Sequence, residues 1–196
     1  MVITTVMGGL GQEKLSPEPL ERVRQRWESD PYVRLLGIEI VDFSAGRARL
    51  SLPLAEKILN GGQGVAHGGS LCSAMDIAIG IALNAANAEA AATEGPMGQT
   101  TTDLNVTFLA GAREGPLTIE AELIRRGGTL AVGEATVRDA NGQIAAVGRA
   151  TFMIIRRRSG SAEGAAPLPG GVGGVPPASL PQEPPRSRGG EGGLER

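Results

Sequence analysis

The chain has one histidine, His67, and one cysteine, Cys72, and both fall in the stretch Asn60-Gly-Gly-Gln-Gly-Val-Ala-His-Gly-Gly-Ser-Leu-Cys-Ser-Ala-Met-Asp76. One His and one Cys cannot assemble a zinc site of the usual kind within one chain, and a lone cysteine forms no intrachain disulfide. Asp76 is the residue out of place. It interrupts the apolar run that continues as Ile77-Ala-Ile-Gly-Ile-Ala-Leu83, where an unpaired carboxylate is costly to bury, so it is either compensated or kept for its chemistry. The chemistry left to such a site is carboxylate chemistry. Gly68 and Gly69 head the same run. At a helix start the first amides lack intrahelical partners and the dipole is positive, so a carbonyl oxygen that gains charge can be stabilised there with no side chain in the way. The plainer reading, two glycines that only shape a tight entry into the helix, stays open.

Other signatures lead nowhere. His67-Gly-Gly-Ser70 looks like part of a lipase oxyanion motif, but there is no Gly-x-Ser-x-Gly elbow and no second histidine to act as base. Gly8-Gly-Leu-Gly11 has no flanking strand and helix of the dinucleotide kind, and no phosphate-loop lysine motif is present. A net charge of −2 argues against a nucleic-acid surface. The run Arg156-Arg157-Arg158 could meet phosphates or simply guard a strand end as a solvated charge cluster.

The elements that must position these residues follow from period and punctuation. Ser16-Pro-Glu-Pro starts a short charged helix, about Pro17 to Glu28, which Asp30-Pro31 ends. Two strands, Gly37 to Phe43 and Arg47 to Pro53, form a hairpin about Ser44-Ala-Gly46. The helix from about Gly69 to Asn87 is apolar nearly all round, which suits a helix enclosed by other structure. Four strands follow: Thr100 to Leu109, Leu117 to Arg125, Thr129 to Arg138 after a Gly127-Gly128 turn, and Gln143 to Arg156 after Asn141-Gly142. In the first of these, Thr102, Leu104, Val106 and Phe108 alternate with Thr101, Asp103, Asn105 and Thr107. The fold class expected is α+β, a curved antiparallel sheet of about six strands wrapped around one long helix. The last strand is apolar on both faces, which predicts that part of the sheet is covered by a second subunit.

Composition divides the chain into an N-terminal segment with the short helix (1–35), one domain (36–156) and a tail (157–196). From Ser159 onward the sequence holds ten of the 30 glycines and seven of the 13 prolines, so a disordered tail is expected there. The N-terminus shows no signal-peptide pattern, and Asp76 breaks the longest apolar run before it reaches the length of a membrane span. A cytoplasmic protein without a membrane segment is the expectation.

Asp76 lies seven residues after Gly69, roughly 10 Å further along a helix axis. In one chain it cannot touch His67. Either the two are unrelated, or the site joins the helix start of one chain to Asp76 of another.

His67-Gly-Gly followed by Asp76, with Asn60 before it and Thr101-Thr-Asp-Leu-Asn-Val-Thr-Phe108 after it, resembles the hotdog-fold acyl-CoA thioesterases of the PaaI type, over about Leu36 to Arg156. The resemblance implies an antiparallel sheet around one helix, sites at dimer interfaces, and a homodimer or a dimer-of-dimers tetramer. It implies that Asp76 is general base or nucleophile in thioester hydrolysis, and that the Gly68 amide polarises the thioester carbonyl. His67 and Asn60 would position substrate or water, and Thr101 would help hold water near Asp76. Arg156 and Arg157 become candidates for the phosphates of coenzyme A, which enters as part of the substrate; no separate cofactor is implied. The chain departs from the family pattern twice. Asn60 precedes His67 by seven residues where six is usual, and Leu109-Ala-Gly111 stands where relatives often have Arg-Pro. The competing readings are a noncatalytic acyl-CoA-binding module on the same fold and a related hotdog hydratase.

Overall fold

The computed structural model describes residues 18–156. The start of the first helix at Pro17, the Gly8 to Gly11 glycines, the tail and Arg157 lie outside the described residues. Among the described residues three α-helices and six strands are formed: α1 (Glu18–Glu28), α2 (Pro31–Leu36), β1 (Glu39–Ser44), β2 (Arg47–Leu52), α3 (Gly68–Glu94), β3 (Met97–Phe108), β4 (Leu117–Arg126), β5 (Leu130–Arg138) and β6 (Ile144–Arg156). The strands make one antiparallel sheet in the order β1-β2-β4-β5-β6-β3, which is the hotdog arrangement expected. One connection differs from a run of hairpins. β3 pairs with β6 rather than with its successor β4, so α3 carries the chain from one half of the sheet to its far edge.

The sheet wraps α3 because large and small residues are divided between them. α3 buries Met75, Ile77, Ile79, Ile81 and Leu83, while the central strands offer Ala131, Gly133 and Ala135 from β5 and Ala146, Gly148 and Ala150 from β6. A Cβ on Gly133 would lie 2.6 Å from the Ile79 methyl and 3.2 Å from the Glu122 carbonyl, which shows how closely β5 approaches the helix. By length and hydropathy α3 could cross a membrane, since Asp76 does not lower the average enough to exclude it. Most of that stretch is instead buried inside the sheet.

α3 runs seven residues beyond the expected end, through the alanine-rich Ala88 to Glu94, and stops at Gly95 with φ +78°. Its C-terminal half is fastened by polar contacts. The Trp27 indole donates to Asn84 Oδ1 at 2.9 Å, Arg126 donates to Asn87 Oδ1 at 2.9 Å, and Gln99 donates to the Gly80 carbonyl at 2.7 Å. On the outer face of the sheet Leu130 pairs with Met153, and both, with Ile155, are exposed in the single chain.

Candidate active site

His67 is the N-cap of α3, in extended conformation, and its Nδ1 accepts the Gly69 amide at 2.9 Å. Because Nδ1 is an acceptor, the ring is the neutral tautomer with its proton on Nε2, which is left as a donor. A Cβ at Gly69 would sit 3.0 Å from His67 Nδ1 and press on the capping ring. The Ser70 and Leu71 amides both bond the His67 carbonyl, at 2.9 and 3.3 Å. The Gly68 amide alone in this first turn has no acceptor among the described residues. Of the two glycine amides expected to be open at the helix start, that of Gly68 is free and that of Gly69 is already occupied.

Asp76 lies half-buried on α3 and accepts the Thr101 hydroxyl at Oδ1, 2.9 Å away; among the described residues its Oδ2 makes no bond. Burial pushes its carboxyl above the ordinary 3.8, and the Thr101 hydrogen bond opposes part of that rise. Thr101 reaches Asp76 through a β-bulge. Thr101 pairs with Phe152 and Asp103 with Thr151, so Thr102 is an extra residue whose hydroxyl bonds the Thr151 carbonyl at 3.0 Å. Strict alternation sets Thr101 and Leu104 on opposite faces. The bulge turns both toward α3, which corrects the face assignment drawn from the sequence.

Eight helical residues separate Gly68 from Asp76, about 12 Å along the axis, so one protomer does not bring them together. Asp76 and Thr101 open instead at the β3 side of the molecule, and β3 is an edge strand, mostly exposed along its length.

The thioesterase superfamily model matches residues 63–146, from just before His67 through β5 to the start of β6. A Saccharolobus solfataricus protein provisionally named an esterase is 30% identical over 142 residues, 72% of this chain and 96% of that protein. The chain belongs to the thioesterase superfamily. A thioesterase family protein from Silicibacter pomeroyi has a TM-score of 0.63 at 25% identity, covering 71% of this chain and 99% of that one. The Escherichia coli PaaI protein of the phenylacetic acid degradation operon shares the fold, with a TM-score of 0.62 at 23% identity over 72% of this chain and 96% of its own.

In this thioesterase Asn60 opens the glycine-rich loop that the Leu59–Ala66 bridge closes, and its amide bonds the Val65 carbonyl at 2.7 Å. Gly62 and Gly64 take positive φ, and at Gly61, Gly62 and Gly64 an added Cβ would meet nothing, so an extra residue is accommodated at the open tip. Asn60 itself is solvent-exposed, and its side chain bonds none of His67, Gly68 or Asp76. Arg156 lies near the C-terminal end of α3 rather than by Gly68, where it pairs with Glu94 at 3.1 Å. Phe108, at the end of β3, rests its ring over Gly68.

A cavity of about 480 Å³ beside His67 and Gly69 brings in residues that the sequence left unassigned, chiefly Tyr32, Leu36 and Lys57. Tyr32 is held there because Asp30 caps α2 and Pro31 begins it; Asp30 accepts the Tyr32 and Val33 amides. A capping Asp followed by Pro is a helix start, and that was the available signal, although the pair reads equally as the end of α1. The Ser73 hydroxyl donates to the Gly69 carbonyl at 2.9 Å, so Tyr32 is the donor in its 2.7 Å bond to Ser73.

Proposed function

We propose that the protein hydrolyses acyl-CoA thioesters at a site shared between two protomers. The observation that carries this reading is the unsatisfied Gly68 amide at the start of the helix that also bears Asp76, a half-buried carboxylate with a free Oδ2. The thioester carbonyl would accept from the Gly68 amide, with the His67 Nε2–H close by. Asp76 of the other protomer would take a proton from a water held against Thr101. As the water oxygen bonds to the carbonyl carbon, negative charge moves to the carbonyl oxygen and is stabilised by the amide and the positive end of α3. Collapse of the tetrahedral intermediate expels the thiolate, and the proton on Asp76 is returned to solvent. A thiolate leaves readily, so one carboxylate and one fixed donor suffice without a triad.

The test is thiol release from a panel of acyl-CoA substrates by the full chain and by Asp76→Ala. The reading requires turnover that falls by about 10²- to 10⁴-fold in the variant, the usual worth of a positioned base. Tight binding of acyl-CoA with no turnover by the parent protein would make it a binding module instead.

A further inference from the structure

A groove of about 470 Å³ runs between α1 and the C-terminal half of α3, a size ordinary for small-molecule sites. Its apolar part is lined by Ala88, Ala91 and Ala92 of α3, Val23 of α1 and Met97. From Asn84 to Ala92 it follows α3 for eight residues, roughly 12 Å, the reach of a medium-length alkyl chain. Asn84 is 8% exposed and lines this groove. Its Oδ1 is taken by the Trp27 indole, while its Nδ2 has no partner among the described residues. That Nδ2 is open to the groove rather than sealed in the core, so it is a donor available to a ligand there.

The rim supplies the second half of the chemistry. Arg22 and Arg26 are one turn apart on α1 and both line the groove; among the described residues neither makes an ion pair. Glu89 is the one carboxylate on the same lining, so the rim is net positive. An alanine-lined trough selects an alkyl chain, and a guanidinium pair with an amide donor selects a single anionic head that accepts hydrogen bonds. We propose that the α1–α3 groove is a binding site for an aliphatic carboxylate of medium chain length, separate from the hydrolytic site. This does not depend on acyl-CoA being the substrate.

Trp27 is the only tryptophan in the chain and bonds the groove's own Asn84, so its fluorescence reports on occupancy. The experiment is a titration of the full chain with decanoate below its aggregation concentration. The proposal requires a saturable change that weakens at least about tenfold in Arg22→Gln/Arg26→Gln, in line with the loss of a charge-assisted bond. It also requires loss of the response in Ala91→Leu, which fills the trough, with an unchanged circular dichroism spectrum, and retention in Asp76→Ala. No saturable change overturns it, including the case in which the chain's own residues 1–17 occupy the groove. A response that survives Ala91→Leu, or that disappears in Asp76→Ala, overturns it as well.

Discussion

At the scale of residues the proposed chemistry turns on the proton affinity of Asp76. A base must be ionised to work, so kcat/KM rises with pH through the Asp76 pKa, and burial sets that acid limb above the ordinary aspartate value. Thr101→Val removes the hydrogen bond that opposes the rise, so its acid limb lies at higher pH than the parent's; a pH profile of kcat/KM checks this, and an unmoved or lowered limb contradicts it. The same shift has a cost in stability. Protonated Asp76 carries no penalty below pH 3.8, and the penalty develops as pH rises through the elevated pKa of the folded chain. Asp76→Asn, which keeps an oxygen for Thr101, should therefore melt higher than the parent at pH 7, with the gap closing toward pH 3. Thermal melts at the two pH values decide it. His67, Gly68 and Asp76 were legible in the sequence because each is anomalous there: a unique imidazole, a paired glycine, a charge in an apolar run. Tyr32 was not, because nothing in its neighbours reveals that α2 returns it to Ser73.

At the scale of elements the sheet and the central helix followed from alternation, turn residues and an all-round apolar pattern. What was not legible depended on pairing. The bulge at Thr102 is an event between β3 and β6, and no local pattern within Thr100 to Phe108 announces it. Likewise the partner of β3 is decided by the route α3 takes across the sheet, not by the residues of β3. The small residues on β5 and β6 give the clearest mechanical prediction. Gly133→Ala places a methyl group against Ile79 and the β4 backbone, so it should cost about 1–3 kcal/mol as overpacking does. Denaturant unfolding measures this, and a variant as stable as the parent would mean that β5 is not held against α3 as described. Gly142→Ala serves as the contrast, since an added Cβ there meets nothing and only its φ of +82° is strained.

At the scale of the whole molecule, the proposed shared site would set a second copy against the exposed β3 edge, where twelve residues of strand are unpaired on one side. Gly68 and Asp76 are about 12 Å apart along one helix, a separation that the proposed second protomer would bridge. Mixed dimers test this directly. Gly68→Pro removes the free amide at a position where proline is favoured and where His67 before it is already extended; its ring must move the Phe108 ring that lies over Gly68, so an unchanged circular dichroism spectrum is required of the variant. Asp76→Ala removes the base. Each variant alone should be inactive, yet co-refolded in equal amounts they should recover about a quarter of parental thiol release, since half of the dimers are mixed and one site in each is intact. Mixed dimers formed in the expected proportion but no more active than the separate variants would contradict a site shared between protomers.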